Sequence, residues 1–88
     1  MKVVFLEKFS KDLDKLKDNK ARQTIKNAIL KLEEAPTLHN VTGLKRLKGE
    51  KDAYRLRAGN YRIGLYIHGE TVEMARVAHR KDIYDFFP

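Results

Sequence analysis

The stretch AYRLRAGNYRIGLY, Ala53 to Tyr66, alternates apolar with basic or small residues on both sides of Gly59 and Asn60. That dipeptide suits a two-residue hairpin turn between two strands. Pairing outward from the turn sets Ala58 against Tyr61, Arg57 against Arg62, Leu56 against Ile63 and Arg55 against Gly64. Tyr54, Leu56, Tyr61, Ile63 and Leu65 then share one face, and Arg55, Arg57, Arg62, Gly64 and Tyr66 share the other. Like charges directly opposed across a sheet are destabilising, cross-strand pairs being worth roughly 0.2–1 kcal/mol. Folding alone gives no reason to oppose Arg57 and Arg62, whereas a polyanion held above that face gives one.

Working outward, Val3 to Leu6 is a short apolar run that predicts an opening strand. Ser10 is a candidate cap for a short helix with Leu13 and Leu16 inward, and Phe9 a candidate staple for its first turn. From about Asn19, Ala21, Ile25, Ala28, Ile29 and Leu32 recur at helical spacing, with Lys26 and Lys31 outward, until Pro36 ends the pattern. Pro36 to Gly43 reads as a polar loop and Leu44 to Lys48 as a short basic strand or turn ending at Gly49. After a turn at Gly69 and Glu70, a further strand runs from Thr71 to about Ala78. Ile83, Tyr84, Phe86 and Phe87 make the closing segment too apolar to hang free, so it is expected to dock as a last helical turn. The fold class is α+β, in the order β-α-α-β-β-β. It predicts an antiparallel sheet with both N-terminal helices on one face, the other face open, and a short C-terminal helical segment.

In that register Ile67, Val72 and Met74 join the inner face, against Leu13, Leu16, Ile25, Ile29 and Leu32. The open face gains Glu73, Ala75, Val77 and, at the end of the strand, His79. Gly64 and Ala75 leave space beside the arginines. Arg76 falls on the apolar face, which requires that it lie at the rim or that the last strand contain a bulge. Arg62, on the middle strand of these three, is the strongest candidate for a functional arginine. Tyr66 either covers the sheet or stacks a nucleobase. Glu73 fits an ion pair with an arginine better than a general acid, since a carboxylate among cations stays ionised.

The chain of 88 residues suffices for one domain, spanning residues 1–88, with a single core. Nineteen Lys and Arg against twelve Asp and Glu give a net charge of +7, and Lys45 to Arg62 alone holds seven basic residues against two acidic ones. The total suits solubility as well as nucleic-acid binding, but the clustering favours nucleic acid. Cysteine is absent, which excludes disulfides and thiolate metal sites. No carboxylate cluster suggests a metal, and no segment resembles a signal peptide or membrane span, so a cytoplasmic protein without metal or small-molecule cofactor is expected.

The run LKGEKDAYRLRAGNYRIGLY, followed by VAHRKDIYDFF, resembles the RelE/ParE superfamily of toxins from bacterial type II toxin–antitoxin pairs. The specific matches are Leu47-Lys48-Gly49, Tyr61-Arg62 and His79-Arg80-Lys81-Asp82-Ile83-Tyr84. RelE-like members are ribosome-dependent mRNA endonucleases and ParE-like members poison DNA gyrase. The intact closing motif favours the RelE-like branch. Carried over by position, the resemblance implies site residues at Arg55, Arg57, Arg62, Arg80 and Tyr84, with His79 at a position where some branches place a catalytic histidine. The first two are often lysines in RelE relatives, and arginine cannot serve as a base at working pH.

The resemblance and the hairpin geometry together suggest metal-free RNA cleavage by attack of a 2′-hydroxyl. Arg55, Arg57 and Arg62 would clamp the scissile phosphate, Arg80 would neutralise the leaving oxygen, and His79 or Tyr84 would move protons. His79 is the more natural carrier at neutral pH. Lys45, Arg46, Lys48 and the helical lysines would meet ribosomal RNA phosphates, and Tyr66 a base. The expected partners are a cognate antitoxin, mRNA and the ribosome. The alternatives are a gyrase inhibitor without nuclease activity and a non-catalytic nucleic-acid-binding module.

Overall fold

The computed structural model describes residues 1–88. Strand β1 (Lys2–Phe5) leads into helix α1 (Glu7–Lys15) and helix α2 (Asn19–Glu34). A 3-10 turn at Leu38–Asn40 precedes β2 (Leu44–Arg46), β3 (Ala53–Ala58), β4 (Tyr61–His68) and β5 (Thr71–His79), and a second 3-10 turn, Ile83–Asp85, closes the chain. The five strands form one sheet in the order β1-β5-β4-β3-β2, which makes β4 central. The two helices agree with the sequence reading, and the segment read as a strand or turn after Gly43 is a strand, so four strands rather than three follow the helices. The sheet, however, is mixed: β1 runs parallel to β5, Val3 opposite Val72, while the other pairs are antiparallel.

Helix α1 begins three residues before Ser10, at Glu7, and its cap position is Leu6 without a side-chain bond, so Ser10 is not a cap. Phe9 stands inside this helix, fully buried, with its ring centroid 5.6 Å from that of Phe5. The start of α2 is better formed. The Asp18 carboxylate accepts from the backbone N–H groups of Lys20 and Ala21, satisfying donors that the first helical turn leaves orphaned.

The core lies between these helices and the sheet. Phe9, Ile25, Ile29 and Leu32 meet Leu56, Ala58, Ile63, Leu65, Val72, Met74 and Val77, with Leu13, Leu16, Tyr54, Tyr61 and Ile67 at its border. The hairpin register is the one read from Gly59 and Asn60: Ala58 pairs with Tyr61, Arg57 with Arg62, Leu56 with Ile63 and Arg55 with Gly64. Gly59 alone of the two turn residues has a positive φ, +62°, as a type II′ turn requires at its first central position.

The β4–β5 pairing breaks once. Leu65 pairs with Met74 but Gly64 pairs with Arg76, leaving Ala75 as an inserted bulge residue. Beyond it every side chain of β5 changes face relative to an unbroken alternation. The bulge that the position of Arg76 called for is present, and two expectations, for Val77 and His79, are corrected by it. Val77 enters the helix-side core opposite Ile63, Arg76 leaves that face, and His79 pairs with Tyr61 on the helix side instead of joining the arginines.

The far face is not open along its whole length. Ala53, Ala75, Ile83 and Phe87 form a second buried cluster bordered by Leu6, Leu47, Tyr66 and Ala78. The closing segment thus docks as expected, and it fills the space that Gly64 and Ala75 create.

Candidate functional site

Antiparallel pairing brings four cations to the part of the far face that the closing segment leaves uncovered. Arg57 opposes Arg62 across β3 and β4, and Lys45 opposes Arg55 across β2 and β3. Arg62 lies on the central strand, half-buried, and its Nη1 donates to the carbonyls of Gly59 at 2.8 Å and Tyr61 at 2.9 Å. Those bonds turn the guanidinium towards the hairpin tip. Arg57 is exposed beside it, whereas Arg55 is half-buried with its Nε sealed from solvent and bonded to nothing.

Two further residues contribute to the electrostatics at Arg62. Its pKa is held below the ordinary arginine value, first by burial and then by repulsion from Arg55, Arg57 and Arg80, while Tyr84 acts in the opposite sense. Arg80 follows β5 at the hairpin end of the sheet, tied there by its backbone N–H to the carbonyl of Asn60 at 2.8 Å. Tyr84 stands in the final 3-10 turn with its side chain exposed. Arg55, Arg57 and Arg62 share one face by register, Arg80 is held at the same hairpin end, and Tyr84 projects from the turn that docks on that face.

His79 stands apart from that group. Its ring meets Tyr61 edge-on at 5.6 Å between centroids, and its Nδ1 accepts the backbone N–H of Lys81 at 3.2 Å. Tyr66 is half-buried, 5.3 Å from the Phe87 ring and 6.5 Å from the His68 ring, so one side of it is covered. Glu73 lies 3.2 Å from His68 and makes no arginine pair. Of the basic residues before the hairpin, Lys45 faces the site. Arg46 pairs with Tyr54 across the strands and its Nε donates to the carbonyl of Glu50, while Lys48 is exposed in the following turn. No group of three or more His, Cys, Asp or Glu side chains is gathered as a metal would need, and no helix is long and apolar enough to cross a membrane.

One constellation has no counterpart in the sequence reading. The Asp12 carboxylate on α1 accepts from Arg76 Nε at 2.8 Å, Arg76 Nη2 at 3.0 Å and the Val77 backbone N–H at 3.1 Å. The Arg76 guanidinium carbon in turn lies 4.3 Å from the centre of the Phe86 ring. This links α1, the bulge and the closing segment. The break in spacing from Met74 to Val77 hinted at the bulge, but nothing in the sequence pointed to Asp12 as its partner.

Residues 3–84 match the family described as the ParE toxin of the type II toxin–antitoxin system parDE. Over its full length the chain is 42% identical to Toxin RelE3 of Methanocaldococcus jannaschii, with both proteins covered completely. The fold is similar to that of a RelB–RelE antitoxin–toxin complex from Methanococcus jannaschii, with a TM-score of 0.77 and 38% identity over 97% of this chain and 99% of that one. It is also similar to the isolated Escherichia coli RelE toxin, with a TM-score of 0.69 and 26% identity over 96% of this chain and 90% of the other. On sequence, over its whole length, and on fold, the chain belongs to the RelE/ParE family of toxins from type II toxin–antitoxin systems and is RelE-like within it.

Proposed function

We propose that this chain inhibits translation by cutting mRNA on the ribosome, without a metal, and that a RelB-like antitoxin restrains it. The observation that supports the reading is the register that sets Arg55, Arg57 and Arg62 on one face, with Arg80 held at the same hairpin end and Tyr84 on the segment docked there. A gyrase-binding surface needs no such convergence on one point. A phosphodiester in cleavage does, because charge accumulates on the phosphoryl oxygens as the 2′-oxygen attacks.

In the proposed step the 2′-oxygen bonds to phosphorus and the bond to the 5′-oxygen breaks. A 2′,3′-cyclic phosphate forms, and the proton lost by the 2′-hydroxyl is balanced by one gained at the 5′-oxygen. Arg55, Arg57 and Arg62 hold the phosphoryl oxygens with planar donors. Arg80 offsets charge at the leaving oxygen. Tyr84 takes over proton transfer from His79, because it lies on the segment docked against the arginine face while His79 shares a face with Tyr61. Lys45, Arg46 and Lys48 contact ribosomal RNA phosphates in a sequence-independent way. The proposed setting is the cytoplasm, where translated mRNA is found.

Primer extension on a translated reporter tests this. Induction of the parent should give cuts within translated codons. Arg62→Ala should abolish them with the fold retained, Tyr84→Phe should slow them about 10²-fold or more, and His79→Ala should leave them largely intact. Intact mRNA alongside gyrase-linked DNA breaks would overturn the proposal in favour of gyrase inhibition, the second reading, which the match to the ParE description supports.

A further inference from the structure

We infer that Phe87 is a positioning residue, which seats its ring on Gly64 and so fixes Tyr84 against the arginine cluster. The inference rests on the ribonuclease reading for its consequence in catalysis but not for its geometry. Gly64 lies on the central strand opposite both Arg55 and Arg76, two residues from Arg62. A β-carbon built on it would clash with the Phe87 ring, so the missing side chain is the socket the ring occupies. Phe87 is 3% exposed and Ile83 is 0% exposed, whereas Tyr84 between them is 59% exposed.

Tyr84 thus projects from a short 3-10 turn pinned on both sides: by Ile83 before it, and by Phe86 over Arg76 and Phe87 on Gly64 after it. A three-residue turn has too few internal bonds to hold an exposed side chain by itself. Without Phe87 the segment keeps Ile83 but loses the anchor that fixes its rotation. A glycine at the centre of a sheet weakens it unless something approaches closely, and here that something is Phe87.

The test combines a structural and a kinetic arm. With 3-fluorotyrosine placed at position 84, the fluorine resonance of the parent should be shifted from its value in the unfolded chain. In both Phe87→Ala and Gly64→Ala it should move back towards that value. In single-turnover cleavage of ribosome-bound mRNA, both variants should lower the maximal rate by about ten- to a hundredfold while half-saturation stays near that of the parent. Phe87→Leu, which keeps apolar bulk in the socket, should recover part of the loss. Adding Phe87→Ala to Tyr84→Phe should cost nothing further if Phe87 acts through Tyr84.

Gly64→Ala leaves Phe87 in the chain, so it covers the case in which removing the aromatic ring unfolds the protein. An unmoved resonance in a folded variant overturns the positioning role. So does a moved resonance with an unchanged rate, or a full additional loss in the Tyr84→Phe background. If the parent itself does not cleave, the ribonuclease reading fails, and the resonance arm still decides whether Phe87 sets the placement of Tyr84.

Discussion

Asp12 shows how one carboxylate can tie a helix to an irregular strand. Burial alone would raise its pKa, but the bonds from Arg76 and from the Val77 N–H outweigh that effect, and the group ends below the ordinary aspartate value. Arg76 is raised above the ordinary arginine value, chiefly by the bond to Asp12 and against its own burial. A carboxylate depressed in the folded state contributes stability that is present above its unfolded pKa, about 3.9. That stability is lost as the pH falls through the folded value. Asp12→Asn should therefore cost about 2 kcal/mol at neutral pH, the scale of hydrogen bonds to charged groups. The gap between variant and parent should begin to narrow at about pH 4, where the unfolded chain takes up the proton, and close as the pH falls through the lower folded value. Urea denaturation from about pH 3 to about pH 7 reads this directly. An offset that stays constant across the range would mean that packing, not ionisation, makes the contact.

At the scale of elements, the hairpin was legible because all its information is local. Gly59 and Asn60 mark the turn, and the alternation on both sides fixes which residues face each other and which face the helices. Leu56 and Ile63, 1% and 0% exposed, are where that alternation puts them. Leu56→Ala should cost in the upper half of roughly 2–5 kcal/mol, and Ile29→Ala, at the margin of the core, in the lower half. Thermal or urea unfolding of both variants checks the order. Equal or negligible losses would place the centre of the core elsewhere. The bulge was only half legible. Val72 and Met74 are two apart while Met74 and Val77 are three apart, and that longer step is the inserted residue, but the step alone does not say whether a strand bends or ends. The parallel pairing of β1 with β5 joins Val3 to Val72 through contacts no local pattern encodes. As for the candidate site, the three hairpin arginines were legible by register. The placement of His79 was not, because it depends on the bulge, and neither was the filling of Gly64 by Phe87, because it depends on how the closing segment folds back.

Taken whole, the molecule carries clusters of positive charge on two separate surfaces. One is the uncovered part of the sheet with Lys45, Arg55, Arg57, Arg62 and Arg80. The other is the solvent side of α2, where Lys26 and Lys31 are exposed. A short single-stranded RNA is narrow enough to occupy the first alone, whereas a ribosome surrounds a bound domain with phosphates on several sides. Binding that neutralises phosphates releases counterions, so affinity falls with salt by about 0.7 logarithmic units per decade for each single-strand contact and about 0.9 for each duplex contact. Arg57→Ala should lower the salt slope for a short RNA oligonucleotide by about 0.7, and should lower the slope for ribosomes as well. Lys26→Ala combined with Lys31→Ala should leave the oligonucleotide slope unchanged and lower the ribosome slope by about 1–2. Titrations of both ligands across a range of salt concentrations measure these four slopes. If the helix double variant weakens the oligonucleotide as much as Arg57→Ala does, the RNA path crosses α2 and the sheet face is not the sole single-strand surface. If it changes neither slope, α2 faces away from the ribosomal RNA, and its lysines serve only solubility.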